Sequence, residues 1–200
     1  SEVARRAVVL VHSLLPRYDA VCEDKRRRLI QHEGWRHAGG WMSDRISQEL
    51  MDIQDTIRGV LERNRLAVLA TQRDGQPHAS LMAFTSSGGL RFLSFATYRD
   101  TLKYESLRKD GRVAILIEDK KGGADHPGRR LVITALGEVT ETPEEIRQDL
   151  VMKHLERHPD LAEFLGSPDC ELVRVAIKAY QVVGGIEDVK WYELGKPTVT

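Results

Sequence analysis

Short hydrophobic segments separated by turns dominate this sequence from residue 66 onward. Residues 66–71 form an apolar run of strand length, Asp74-Gly75 marks a tight turn, and residues 78–84 resume the strand pattern. Further segments rich in β-branched and aliphatic residues follow at 90–94, 112–118, 131–140, 171–183 and 189–193. We expect residues 86–89 to form a turn and the first three strands to form a meander. The whole pattern predicts a six- to seven-stranded antiparallel split β-barrel of the α+β class, because the regular strand–helix alternation of a doubly wound sheet is missing.

Helical periodicity precedes the first of these strands and also lies between later ones. Apolar residues over 46–61 recur at spacings of three and four, as on an amphipathic helix, and Ser43 has the chemistry of its N-cap. Thr142 caps a second helix that runs from Pro143 to about His158, and Asp160 begins a short third one. These are the helices that would flank the barrel.

Residues 1–42 differ from the rest of the chain. Their helical spacing and their tryptophan- and glycine-containing loop predict an N-terminal helical extension, with the barrel domain over residues 43–200. Thirty basic and thirty acidic residues give a formal net charge of zero, so we expect neither nucleic acid nor a membrane as a partner. Two isolated cysteines favour a reducing compartment, and we expect a cytoplasmic protein.

The segment over residues 95–107 carries the clearest binding chemistry. It follows a strand and opens a helix, for which Asp100 is the predicted N-cap, with Thr101 and Lys103 inside the first turn. Free amides and partial positive charge at a helix start suit a phosphate group. An ordinary strand-to-helix turn with a solvated lysine is the alternative that these residues alone leave open.

Other site chemistry is weaker. His154 and His158 lie four residues apart on one predicted helix, but no third ligand accompanies them, so we predict no metal site. Neither cysteine lies in a catalytic signature, and no GxSxG motif occurs. The residues therefore identify no catalytic group.

Several of these motifs occur together in a known superfamily. Gly75-Gln76-Pro77, the strand over 78–84, the motif from Thr97 through Thr101 to Lys103 and the pair Arg112-Val113 resemble the pyridoxamine 5'-phosphate oxidase-like, FMN-binding split-barrel superfamily. Residues 153–175, the following YQVVGG and Trp191 are similar to its haem-utilisation-like branch.

The resemblance implies an FMN site at a homodimer interface. Residues with a cofactor-binding role by this resemblance are Ser80, Leu81, Met82, Ala83, Ala96, Thr97, Thr101, Leu102, Lys103, Arg130 and Trp191. Ser80 and Leu102 stand where the superfamily often has arginine, which implies a weaker hold on the phosphate. Arg130 is expected to compensate, and Trp191 to reach the site from the partner subunit. The C-terminal arginine and histidine signature of the true oxidase is absent, so vitamin B6 is not the expected substrate.

The resemblance thus implies an FMN-binding oxidoreductase that acts on a small-molecule substrate. One alternative is a haem-binding or haem-degrading protein of the same fold, with His126 or His154 as the axial ligand. Deazaflavin in place of FMN, and a non-catalytic flavin-binding module, are the others.

Overall fold

The computed structural model describes residues 41–119, 131–184 and 189–194. Two compact units divide the chain, Ser1–Ile53 and Gln54–Thr200. Only residues 41–53 of the first unit are described, and they are helical. The helices expected over residues 1–40 and the predicted position of Arg130 lie outside the described residues. The predicted domain boundary at residue 43 therefore stays a prediction.

The second unit contains the strands and the remaining helices. In chain order the elements are α1 (Trp41–Arg63), β1 (Leu66–Arg73), β2 (Gln76–Ala83), β3 (Thr85–Ser87), β4 (Phe92–Tyr98), α2 (Leu102–Lys109), β5 (Arg112–Asp119), β6 (Leu131–Thr140), α3 (Glu144–Arg157), a 3₁₀ turn (Pro159–Leu161), α4 (Ala162–Leu165), β7 (Cys170–Val183) and β8 (Val189–Glu193). No helix among the described residues is both long and apolar enough to cross a membrane.

All strand pairs are antiparallel, in the order β2-β1-β5-β6-β7-β4-β3, and β8 pairs with β7. Strands β2 and β3 lie at opposite ends of this order, yet only Phe84 separates them in the chain. The sheet must therefore curl until its two ends meet, which makes it a barrel. This confirms the predicted antiparallel split barrel, with eight strands in place of six or seven because β3 is an additional three-residue strand.

The predicted meander is wrong. β2 pairs with β1, whereas β4 pairs with β3 and β7. Ser86 and Ser87, predicted as turn residues, belong to β3, and the turn lies at Gly88, Gly89 and Leu90, all of which have positive φ. Leu90 adopts this left-handed conformation despite its side chain; it is buried, and its carbonyl accepts a hydrogen bond from the Tyr180 hydroxyl at 2.8 Å. The surrounding core thus holds the turn in place.

Four predicted helix-start residues are wrong. Pro143, and not Thr142, is the N-cap residue of α3, and Asp160 lies inside the 3₁₀ turn that begins at Pro159. Helix α1 begins at Trp41, so Ser43 lies inside it. Thr101, and not Asp100, caps α2: its backbone is extended and its hydroxyl accepts a hydrogen bond from the Tyr104 amide at 3.4 Å. Both Asp and Thr are good capping residues, and the backbone conformation decides between neighbours.

The core fills the barrel interior with inward-facing aliphatic side chains from the strands. Leu69, Ile115, Ile133, Leu93 and Val175 are fully buried. A β-bulge between Leu136 and Gly137 marks the bend of β6 against β7. A Cβ on Gly137 would lie 2.5 Å from the Ala176 carbonyl oxygen, so only glycine permits this close approach of the two strands.

Helix α3 packs against β3 and the end of α1 through polar contacts. His154 Nδ1 lies 2.8 Å from Thr85 Oγ1, and that hydroxyl lies 2.8 Å from Ser94 Oγ. His158 Nε2 lies 3.0 Å from the Phe84 carbonyl oxygen. The Arg157 guanidinium donates to the carbonyls of Leu61, Glu62 and Asn64, which lie at the C-terminal end of α1.

Candidate functional site

The barrel opens between β2 and β4. Thr85 pairs with Ser94 in the β3–β4 ladder, and continuation of that register would place Ala83 opposite Ala96 and Met82 opposite Thr97. The ladder stops at Thr85, because residues 76–83 pair with β1 instead. β2 and β4 nevertheless contact each other. We call the gap between residues 80–83 and residues 96–97 the β2–β4 opening.

One side of this opening is an edge strand. β2 pairs with β1 along one edge, and no strand among the described residues pairs with its other edge. Such an edge presents backbone N–H and C=O groups to whatever lies beside it. Met82 points into the core and is buried, whereas Leu81 on the opposite face is 68% exposed. The Ser80 hydroxyl lies 3.3 Å from His78 Nδ1, which fixes the polar end of the strand.

The other side of the opening leads into the start of α2, where three side chains form what we call the α2 N-terminal cluster: Thr97, Thr101 and Lys103. The Thr97 and Thr101 hydroxyl oxygens lie 3.0 Å apart. The Thr101 hydroxyl donates to the Tyr98 carbonyl at 2.8 Å. Thr97 is buried, so its hydroxyl supports Thr101 from within.

Backbone donors remain free at this helix start. The Glu105 amide makes the first intrahelical bond, to the Thr101 carbonyl, and the Tyr104 amide bonds the Thr101 hydroxyl. The amides of Leu102 and Lys103 therefore precede the hydrogen-bonded part of the helix, in the position at which helices bind anions.

Lys103 is the unpaired cation of the cluster. Its side chain is half-buried, and burial lowers the pKa of its ammonium group. Within the described residues it has neither an ion pair nor a hydrogen bond. A positive charge partly removed from water is unfavourable unless an anion compensates it, so this arrangement indicates an anion-binding site.

The neighbouring arginines contrast with Lys103. Arg99 donates to Glu171 at 2.7 Å, and Arg112 donates to Asp110 at 2.6 Å. The Arg112 guanidinium holds the pKa of the Asp110 carboxyl well below its usual range. These two charges are neutralised within the protein, whereas no carboxylate among the described residues neutralises Lys103.

Ion pairs fix α2 relative to the β1–β2 hairpin. Arg73 bonds Glu105 at 2.6 Å, and Lys109 bonds Asp74 at 3.4 Å. Gln72 also donates to the Asp110 carboxylate beyond the helix end. These contacts hold the middle and the C-terminal end of α2 against the β1–β2 hairpin, whose second strand lines the opening.

The structure brings together some of the predicted residues and separates others. Residues 80–83 and 96–97 lie on the two sides of the β2–β4 opening, and Thr101 contacts Thr97, with Lys103 two residues further along α2. Leu102 is 48% exposed at the first position of α2. Trp191 lies elsewhere in the same chain. Thr97 pairs with Glu171 and Trp191 pairs with Gln181, ten residues apart on β7. That separation is about 30 Å along an extended strand.

The two helical histidines are structural. His154 is fully buried, its Nδ1 contacts Thr85, and its ring centroid lies 5.5 Å from that of His158. No cluster of three or more metal-binding side chains occurs in the part of the chain that the structure describes. His154 has no solvent-facing surface with which to bind haem, so its predicted role as an axial ligand is disfavoured.

Solved structures share this split barrel. A haem-binding protein from Mycobacterium smegmatis superposes with a TM-score of 0.60 at 18% identity over 65% of this chain. The Campylobacter jejuni protein ChuZ gives 0.60 at 14% identity over 72%, and an FAD-binding protein from Mesorhizobium loti gives 0.52 at 20% identity over 69%. The matches cover 53%, 61% and 93% of those chains, respectively, so this chain spans about half the length of the mycobacterial protein.

The fold therefore defines a split-barrel protein of the class that the sequence resembles. Residues 53–184 match the family model described as pyridoxamine 5'-phosphate oxidase, and this chain belongs to that family. No protein of curated function matches the sequence.

Proposed function

We propose that this protein is an FMN-binding flavoprotein that acts as an oxidoreductase on a small-molecule substrate, as a homodimer. The observation that carries the proposal is the half-buried, unpaired Lys103 at the start of α2, beside the β2–β4 opening. The family membership and the FAD-binding neighbour support it.

The phosphate end of the cofactor fits the α2 N-terminal cluster. A phosphate monoester carries close to two negative charges at neutral pH. Lys103 supplies one full positive charge, and the free amides at the helix start supply hydrogen bonds and part of a second charge. Ser80 and the exposed Leu102 add no charge, so we expect a moderate affinity, with Arg130 as the proposed additional cation.

The ring end fits the edge of β2. An isoalloxazine ring has flat apolar faces and an edge with both hydrogen-bond donors and acceptors. The unpaired backbone edge of residues 80–83 offers both kinds of partner, and Ala83 and Ala96 are small enough to allow close approach. When bound, the flavin supplies hydride and electron transfer; the chain's residues bind it, orient it and exclude water from one side.

An exposed apolar face supports the proposed homodimer. Leu81 pairs with Val68, which pairs in turn with Leu116, so the three side chains share the outer face of the sheet. Leu66 lies on the same face and is 49% exposed, and Leu81 is 68% exposed. A contiguous apolar face of this kind is typical of a protein–protein interface. Trp191, distant from the opening in its own chain, would then reach the opening of the partner.

The histidines favour flavin over haem. His154 and His158 are buried and already have polar partners. Among the described residues His78 is the only histidine that is not buried, and it is half-buried; His126 lies outside them. A haem ligand from α3 would have to break the α3–β3 contacts, whereas FMN requires no such rearrangement.

Cofactor titration tests the proposal. The purified protein should show flavin absorbance or take up added FMN, and parallel titrations with a deazaflavin and with haemin identify the preferred ligand. Uptake of haemin, with a Soret shift and without flavin binding, would refute the FMN assignment. Turnover of an electron acceptor with NAD(P)H as donor would distinguish an enzyme from a non-catalytic flavin-binding module.

The dimer is tested separately by light scattering. Leu81→Asp places a charge in the centre of the proposed interface and should shift the mass toward that of a monomer. Met152→Asp, which changes an exposed residue on α3, is the matched control. A monomeric wild-type protein would contradict the proposed dimer.

A further inference from the structure

A second concavity lies on α2, separate from the proposed flavin site. It has a volume of about 400 Å³ and is enclosed by α2, by the end of β6 with the connection to α3, and by the start of β7. Three arginines, Arg108, Arg147 and Arg174, contribute to its walls. None of residues 80–83, 96–97 or 101–103 lines it. We call it the arginine groove.

Arg174 is the most unusual of these residues. Its guanidinium carbon lies 3.5 Å from the centre of the Phe92 ring, and its Nε is buried without a hydrogen-bond partner. No ion pair involves Arg174 in the described ranges. A buried guanidinium donor without an acceptor costs free energy, and stacking on Phe92 does not satisfy it. The buried Nε is closed to a ligand, so an acceptor in the groove would have to bond the terminal nitrogens of this guanidinium, whose charge no carboxylate among the described residues neutralises.

The other charges leave the groove net positive. Glu171 accepts from Arg99 through Oε2 at 2.7 Å and from Arg147 through Oε1 at 3.3 Å, so two arginines share one carboxylate. Arg108 has no ion-pair partner among the described residues. Glu141 also lines the groove, but it is exposed to solvent. The guanidinium groups thus exceed the carboxylates that neutralise them.

Apolar side chains complete the wall. Leu107, Leu172 and Val173 are buried at the base of the groove, and Val139 and Tyr104 are half-buried at its sides. A volume of several hundred Å³ with apolar walls and a few convergent polar groups is typical of a small-molecule site. Arginine beside an apolar surface matches a ligand with one anionic end and one apolar end.

We propose that the arginine groove binds a small organic acid, with its carboxylate held by Arg174 and Arg147 and its apolar body against Leu107 and Val139. This site is independent of the flavin proposal, because it shares no lining residue with the β2–β4 opening. The groove would be a binding site on α2 for a substrate or effector that carries a carboxylate.

Calorimetric titration with sodium octanoate tests the proposal, with inorganic phosphate as a second probe. Octanoate should bind, and Arg174→Gln should weaken it by about tenfold or more, the scale of a charge-assisted hydrogen bond. Arg174→Lys should restore part of the affinity, because it returns the charge but not the planar fork. Arg147→Gln provides a second variant if Arg174→Gln does not fold.

Two controls make the result specific. Arg58→Gln removes an exposed arginine on α1 that pairs with Asp55, outside the groove, and should leave octanoate binding unchanged. Lys103→Ala should also leave it unchanged, which separates this site from the flavin site. No octanoate binding by the wild type, equal loss with Arg58→Gln, or tighter binding of phosphate than of octanoate would overturn the proposal.

Discussion

Two polar clusters in this barrel use similar residue types and differ in how their polar groups are satisfied. The α2 N-terminal cluster has two threonine hydroxyls and Lys103, whose ammonium has no partner in the described ranges. The α3–β3 cluster (Thr85, Ser94, His154 and His158) also has hydroxyls beside titratable nitrogens, but it is buried and its groups bond one another or the Phe84 carbonyl, apart from His154 Nε2, which has no hydrogen-bond partner among the described residues. A closed polar cluster stabilises the fold, whereas an open one with an uncompensated charge can bind a ligand.

The largest expected effect is on stability, at the α3–β3 cluster. His154→Ala should lower the free energy of unfolding by about 3 kcal/mol, because it leaves a cavity and removes one of the two partners of the buried Thr85 hydroxyl. Chemical denaturation would measure this loss. Met152→Ala, at an exposed position of the same helix, should change stability by less than about 0.5 kcal/mol. Equal effects of the two substitutions would contradict the structural role of His154.

The next effect is the dependence of the free energy of unfolding on pH. Burial, together with the nearby His158, lowers the pKa of His154 from 6.5 to about 4. Above pH 6.5 the ring is neutral in both states, so this contribution to stability is fully present. As the pH falls from 6.5 to 4, the unfolded chain binds a proton that the folded chain does not, and stability should fall by about 3 kcal/mol.

Denaturation curves measured across this range would test that slope. His154→Gln should flatten it, provided that the variant folds. The lowered pKa of Asp110 acts in a different window, because its contribution is lost only as the pH falls below about 3.8. A wild-type stability that is flat between pH 6.5 and 4 would show that His154 is accessible to protons in the folded state.

At the open cluster the expected effect is on binding and not on folding. Lys103→Ala should weaken FMN binding by about 1.5–3 kcal/mol, the value of a hydrogen bond to a charged group. Its unfolding free energy should stay close to that of the wild type, because Lys103 forms no ion pair with any residue that the structure describes. Lys109→Ala, on the same helix and paired with Asp74, is the control and should bind FMN normally. An unchanged FMN affinity in Lys103→Ala would refute the phosphate assignment.

The smallest expected effect is a gain in FMN affinity. Leu102→Arg adds a cation at the exposed first position of α2, where the superfamily often has one, and should tighten FMN binding by about 1 kcal/mol. Fluorescence titration of FMN would measure it. A weaker affinity would indicate that the phosphate lies on another side of the helix start.

Local sequence patterns predicted most of the elements but not the opening. The β-branched runs placed the strands within a few residues, because a strand buried on one or both faces requires such side chains. The split between β2 and β4 depends on which strands pair across long separations in sequence, and a local sequence pattern cannot predict that pairing. Strand β3, with three residues, is too short to show periodicity, and Ser86 and Ser87 were predicted as turn residues because two glycines follow them.

The candidate sites divide in the same way. Thr101 and Lys103 were predicted from the helix start, which has a recognisable local chemistry, whereas Thr97 was predicted only through the family resemblance. Arg174 was not predicted to bind a ligand. The alternation of residues along a strand predicts which face of the sheet a side chain lies on, but it does not predict which groups that side chain contacts. Its stacking on Phe92 and its unpaired Nε emerge only when β4 and β7 are side by side.

The contact between Arg157 and the end of α1 has a consequence for synthesis of the chain. Asn64 receives its hydrogen bond, at 2.6 Å, from a residue 93 positions later. At ribosomal rates of about 5–20 residues per second, that interval is roughly 5 to 20 seconds. During this time the carbonyls at the end of α1 can bond water but not Arg157, which has not yet been synthesised. Much of the core that buries Ile57 and Val60 has not been synthesised either. The first helix of the barrel should therefore be among the last elements to become stable, although it leaves the ribosome first.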